Sequence, residues 1–120
     1  MTKILIVDDD PKWLSLFSSM ISLMDFEVDV AERGDEALKY FPKRSFDLVF
    51  TDLNMPGIDG WLLAKHIKGM SPKTIIVLVT AGDRDPILEK LQKSSIDFVL
   101  FKPFGLEEFK ETLQAVLEIS

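Results

Sequence analysis

Five short apolar runs, each followed by a stretch with helical spacing, constrain this chain more than any other feature of its sequence. "KILIV" (3–7), "FDLVFTD" (46–52), "TIIVLVTA" (74–81) and "IDFVLFK" (96–102) are nearly continuous in apolar residues. A strand reads this way when both its faces are covered. "FEVDVA" (26–31) instead alternates, with Val28 and Val30 on one side, and is expected to be a strand with one exposed face, at an edge. Between the runs, Trp13, Phe17, Met20, Ile21 and Met24 recur at three- and four-residue spacing over 11–24, marking one helical face. Ala37, Leu38 and Phe41 follow Gly34 over 35–41, and Leu63, Ile67 and Met70 mark a helix around 59–69. Asp85 and Pro86 read as the cap and first turn of a helix over 85–93 that turns Ile87, Leu88 and Leu91 inward. Leu106, Phe109, Leu113, Val116 and Leu117 share a face of 106–117.

Strict alternation of five strands with five helices predicts right-handed βαβ units, hence an α/β fold with a parallel sheet and helices on both faces. The 120 residues suit one domain, with no internal repeat, low-complexity tract or linker. "KGMSPK" (68–73) is a loop before a strand, not a boundary.

Charge and composition narrow the partners. The net charge is −6 and the pI about 4.7, which argues against direct binding of nucleic acid, since phosphate contacts need clustered Lys and Arg. No segment approaches the ~18 apolar residues of a membrane span. The N-terminal apolar run is too short for a signal peptide, so the expected location is the cytoplasm, away from membranes. Without cysteine there is no disulfide framework and no thiolate metal site.

In an open α/β sheet, ligands bind beyond the carboxyl ends of the strands. Asp8, Asp9 and Asp10 stand there after the first strand, and Thr51 and Asp52 after the third. Thr80 follows the fourth, and Lys102 with Pro103 the fifth. Asp10 is explained as the cap of a helix opening on Pro11, but Asp8 and Asp9 are not. Two unit charges about 4 Å apart near a protein surface repel by roughly 4 kcal/mol at an effective dielectric near 20. Convergence of Asp8, Asp9 and Asp52 therefore calls for a cation, and an all-oxygen ligand set suits Mg²⁺. Lys102 adds a positive charge and Thr80 a hydroxyl, which together suit a phosphoryl group. The Gly-rich phosphate loops are absent, so Asp52 as a carboxylate nucleophile fits better than a bound nucleotide.

Over essentially its whole length the sequence resembles the receiver domain of two-component response regulators. The resemblance rests on "VDD" (7–9), "TDLNMPGIDG" (51–60), "VTA" (79–81) and "KPF" (102–104), in order and each at a strand end. It implies a flavodoxin-like (βα)5 fold over 1–120 with strand order 2-1-3-4-5. It implies that Asp52 is phosphorylated by a sensor histidine kinase or phosphotransfer protein, with Mg²⁺ held by Asp9, Asp52 and the carbonyl of Asn54, and by Asp8 through water. It further implies that Thr80 and Lys102 bind the phosphoryl group, that Lys102–Pro103 is a cis peptide, and that the 85–117 surface carries the output. The domain would assist its own phosphorylation and dephosphorylation without turning over an external metabolite. Its output would pass to a downstream effector protein or to an output domain outside this sequence, and a homodimer through the last helix is an open expectation.

One position departs from the family. Val99 stands three residues before Lys102, where the family usually carries Tyr or Phe, so the output switch is expected to be altered. Phe98 and Phe101 flank it and are expected on the opposite face of the strand. Gly82, two residues after Thr80, stands with Asn54 at positions that tune water access to the phosphoryl group in the family, and a bare glycine is expected to leave that access open.

Two other function classes share some of these residues. A Mg²⁺-dependent aspartyl phosphatase needs a second acid two residues past the nucleophile, where Asn54 stands, and usually a cap domain. A phosphorylation-independent binding module of receiver fold is kept open by Val99. His66, the only histidine, reads as a surface helix residue, and Trp13 as a core residue near the acids.

Overall fold

The structure is a computed structural model that describes residues 2–119, with side chains described as far as residue 117. The elements are β1 (Lys3–Val7), α1 (Pro11–Ser22), β2 (Glu27–Ala31), α2 (Gly34–Tyr40), β3 (Leu48–Thr51), α3 (Gly60–Met70), β4 (Ile75–Thr80), α4 (Arg84–Leu91), β5 (Phe98–Phe101) and α5 (Leu106–Ile119). The strands form one parallel sheet in the order β2-β1-β3-β4-β5. This is the flavodoxin-like arrangement, and its alternating strand, β2, lies at an edge as the pattern required.

Each apolar run is continuous because the sheet is covered twice. Residues of one parity, Ile4, Ile6, Leu48, Phe50, Val77, Val79 and Leu100, face α1 and α5. Those of the other parity, Leu5, Val7, Val49, Ile76 and Leu78, face Ala37 of α2, Leu63 and Ile67 of α3, and Ile87 of α4. Burial of a Leu, Ile, Val or Phe side chain contributes about 1.5–3 kcal/mol, so the two layers supply most of the drive to fold.

Several expected boundaries move. The helix after β4 begins at Arg84 with Asp83 at its cap position, two residues before the expected Asp85, and Pro86 lies inside its first turn. Pro at that point lacks only an N–H that has no helical partner. The strands after β2 are shorter at both ends than their apolar runs. Phe46 and Ile96 are buried before their strands begin, because apolar residues continue to pack beyond the strand ends, and Thr74 is buried with its hydroxyl donating to the Phe46 carbonyl at 2.8 Å. α1 ends at Ser22, and Asp25 has φ 65°, so the chain turns before Met24 completes the helix. Met70 and Leu106, expected on inner faces, are each 49% exposed, since both lie at helix ends that overhang the sheet. Leu14 joins Phe17 and Ile21 as a buried residue of α1, whereas Trp13, Met20 and Met24 are partly buried around them.

Phe17 centres the aromatic part of the α1/α5 layer. It is 0% exposed, and its ring centroid lies 5.1 Å from those of Trp13 and Phe109 and 5.2 Å from that of Phe50. Edge-on and offset contacts at these distances add to the area buried. Phe17→Ala is expected to destabilise the domain by about 3–5 kcal/mol, read as a shift of the urea unfolding midpoint at unchanged slope.

Candidate functional site

The carboxyl edge of the sheet gathers the acids through backbone geometry. The Asp8 N–H bonds to the Ala31 carbonyl (3.1 Å), and the Asp52 N–H to the Val7 carbonyl (2.9 Å), continuing the ladders of β1 and β3 one residue past the strands. Asp10 is the α1 cap, its side chain accepting from the Lys12 N–H at 3.0 Å, with Pro11 opening the helix. One oxygen of Asp8, Oδ1, accepts from the Asp10 N–H at 2.9 Å. The three successive aspartates thus have three settings: Asp10 caps, Asp9 is exposed, and Asp8 is 2% exposed.

The turn after β3 is set by a close backbone approach. A Cβ on Gly60 would lie 2.5 Å from the Asp52 carbonyl oxygen, so only glycine fits where α3 begins. Its N–H donates to the Leu53 carbonyl at 2.8 Å, and the Asp59 carboxylate caps α3 through the Leu62 N–H at 2.9 Å. Asp52 is therefore held from both sides, by β1 through its N–H and by the start of α3 against its carbonyl.

Asp8, Asp9 and Asp52 each present a carboxylate oxygen within 4.8 Å of the others. The second oxygen of Asp8, Oδ2, is buried and lacks a hydrogen bond. Lys102 Nζ stands 3.6 Å from it, an ion pair beyond hydrogen-bond reach. Burial, and then the Asp8 charge, push the Asp52 pKa from 3.8 up to about 6, and burial also raises that of Asp8. An orphaned buried oxygen among three carboxylates fits a hard divalent cation, which takes oxygen ligands alone.

Thr80 ends β4, is buried, and its Oγ1 accepts from the Gly82 N–H at 3.1 Å. Its carbonyl accepts from the Lys102 N–H at 2.8 Å, which ties the end of β4 to the lysine. Lys102–Pro103 is cis. Asn54 is exposed on the turn after β3, and His66 is exposed on α3.

Two contacts escaped sequence reasoning. The Lys102 ammonium lies 4.5 Å from the Trp13 ring centroid, so the ring packs beneath the lysine as well as against Phe17. No spacing rule links α1 to the end of β5, and only the fold brings them together. The second corrects an expectation. Phe98 does face away from Val99, toward the α1/α5 layer, but Phe101 shares Val99's face. Two residues along a strand return to the same side. Phe101 is the register partner of Thr80, and its ring lies 4.7 Å beneath the Arg84 guanidinium at the start of α4.

Three carboxylates and a lysine meet at the carboxyl edge of a doubly wound sheet, where the neighbouring strand β4 ends on a buried threonine, and this fold and motif set are those of a receiver domain. The chain belongs to the response regulator receiver domain family, whose sequence profile matches residues 4–114. Phosphoryl acceptance in two-component systems, with self-catalysed loss of the phosphoryl group, is that family's function. The chain is 32% identical to the two-component response regulator ARR11 of Arabidopsis thaliana, over 96% of its own length and 22% of ARR11. It is 31% identical to the sensor histidine kinase RcsC of Salmonella typhi, over 96% of its length and 12% of RcsC. The chain thus spans well under two thirds of these curated relatives. Among solved structures, the response regulator TrrA of Thermotoga maritima in complex with Mg²⁺–BeF superposes with a TM-score of 0.86 at 34% identity, covering 97% of this chain and 99% of TrrA. The chemotaxis protein CheY4 of Vibrio cholerae gives a TM-score of 0.89 at 30% identity, covering 97% of this chain and 98% of CheY4.

The Asp52 pKa carries a stability consequence. It lies above the unfolded value, so between pH 3.8 and about 6 the folded protein binds more protons than the unfolded one. Stability of the metal-free protein therefore falls as pH rises through that window and stays lowered above it. Asp52→Asn removes the charge and is expected to raise stability at pH 7.5 by on the order of 1 kcal/mol after allowance for solvent screening, with little effect at pH 3.5. Thermal melts of both proteins in EDTA at the two pH values check this.

Proposed function

We propose that this chain is a phosphoacceptor switch in which Asp52 takes a phosphoryl group from the phosphohistidine of a sensor histidine kinase or phosphotransfer protein. The observation that carries this reading is the buried Asp8 oxygen that lacks a hydrogen bond and faces Lys102 within the Asp8–Asp9–Asp52 cluster. Asp9 and Asp52, with the Asn54 carbonyl, would hold Mg²⁺ directly, and Asp8 through a water. Bound there, Mg²⁺ supplies positive charge against the oxygens of the incoming phosphoryl group.

An Asp52 carboxylate oxygen attacks phosphorus in line, the O–P bond forms, and the N–P bond to the donor imidazole breaks. The freed imidazole keeps the electron pair of that bond and takes a proton. Lys102 offsets charge on the phosphoryl oxygens, and it stands beside Asp8 ready to exchange that partner for the new anion. Thr80 Oγ1 now accepts from the Gly82 N–H, so its own proton is available to a phosphoryl oxygen. A shift of Thr80 toward that oxygen would bias the 85–117 surface of α4, β5 and α5, which would carry the output to a downstream protein or an output domain. Water later removes the phosphoryl group, and a cytoplasmic setting suits a kinase donor. Among the described residues, no helix is long and apolar enough to cross a membrane.

Val99 supports a second reading, in which the domain binds its partner without phosphorylation. The position holds a valine rather than a ring, and the nearest aromatic on its face, Phe101, is already covered by Arg84. Under that reading, partner affinity is the same for wild type and Asp52→Asn.

Intact mass after incubation with acetyl phosphate and Mg²⁺ tests the main reading. One added phosphoryl group is expected in wild type, and none in Asp52→Asn or with EDTA present from the start. No adduct, together with no uptake of beryllofluoride, would overturn it. Lys102→Ala is expected to keep the metal site but lower the phosphorylation rate at least tenfold, which the same assay resolves in time.

A further inference from the structure

Four lysines meet along α3, α4 and the turn that follows α4, in a chain whose net charge is −6. Lys65, Lys90 and Lys93, with Trp61, Ser94 and Ser95, line an open groove of about 460 Å³. The fourth, Lys68, is neutralised by Asp97, with Nζ 2.8 Å from Oδ2. Lys90 rests its ammonium 5.0 Å from the Trp61 ring centroid. Lys65 and Lys93 have no ion-pair partner among the described residues.

Helix electrostatics explain part of this. Lys90 in the last turn of α4, and Lys93 just beyond it, complement the carbonyl end of that helix. Lys65 has no such reason, for it lies mid-helix, one turn after Trp61 on α3. Three like charges around a partly buried indole lower their repulsion when an anion enters between them.

We infer that this groove docks an acidic peptide segment of a partner protein, with an apolar or aromatic side chain against Trp61 and carboxylates met by Lys65, Lys90 and Lys93. Charge complementarity selects the occupant. Lysine ammoniums are flexible point charges, suited to a row of carboxylates more than to the bidentate grip that one phosphate draws from arginine. A long nucleic-acid polyanion would meet the repulsion of the whole acidic chain. A short segment stays within about one Debye length, ~8 Å at physiological salt, of the groove lysines. Indole and lysine stems supply apolar contact at the centre, and the ammoniums form the charged rim. The groove uses none of the acid-cluster residues, so its occupancy does not depend on Asp52 chemistry.

A nitrogen-15 NMR titration of the full chain tests this with a synthetic peptide of about ten residues, alternating Glu and Asp around one central Phe. A peptide with Gln and Asn in place of the acids is the control. Saturating shifts of the Trp61 indole and of the Lys65 and Lys93 amides are expected at low salt, with the Trp13 indole unmoved. Affinity is expected to fall at least tenfold for the control peptide, for Lys65→Ala/Lys93→Ala, and on raising salt from about 50 to about 500 mM. The double variant's remaining cross-peaks report whether it is folded. No saturation, equal affinity in a folded double variant, or shifts centred on another face would overturn the inference. So would tighter binding of a duplex DNA of similar charge.

Discussion

The structure depends on one unresolved electrostatic demand, a buried Asp8 carboxylate with one oxygen satisfied and the other facing a lysine 3.6 Å away. A buried acceptor left unpaired costs about 1–3 kcal/mol, more when charged. The surrounding chain holds that oxygen in place instead of relieving it. Asp8 is fixed through its N–H by β2 and through Oδ1 by the turn into α1. Lys102 is fixed through its N–H by β4, and its ammonium rests over Trp13. The backbone ladders and the packing of Lys102 on Trp13 therefore fix where the carboxylates and the ammonium stand.

Parallel topology makes this arrangement available. Every strand ends at the same edge, so the ends of β1, β3 and β5 bring Asp8, Asp9, Asp52 and Lys102 together, and β4 ends beside them on Thr80. The apolar layers on both faces fix the strands in register, and register decides which residue stands at the edge. At Gly60 side-chain volume itself is forbidden, because the start of α3 touches the backbone of Asp52. Packing, register and charge are thus a single constraint seen at three scales.

Much of this was legible in the sequence. Continuous apolar runs announce buried parallel strands because both faces must be covered, and the alternating 26–31 run announced its edge position. Asp8, Asp9, Asp52 and Lys102 were found by asking what stands after each strand, and their convergence follows from topology. The residues that were misread failed for local reasons. Asp85 and Pro86 resemble a helix start, yet the first turn accepts proline at several positions, and Asp83 precedes the helix. Phe101 shares a face with Val99, as two-residue periodicity requires, and not with Phe98. The Trp13–Lys102 contact and the lysine groove join elements far apart in the chain, so no local pattern encodes them.

Calorimetric titration of Mg²⁺ into wild type and Asp8→Asn at pH 7.5 tests the account most directly, since it asks whether the buried carboxylate serves a cation. The account predicts one site in wild type and at least tenfold weaker binding in the variant. It also predicts that Asp8→Asn is the more stable of the two proteins in EDTA. Equal Mg²⁺ affinity, or a metal-free variant less stable than wild type, would contradict it.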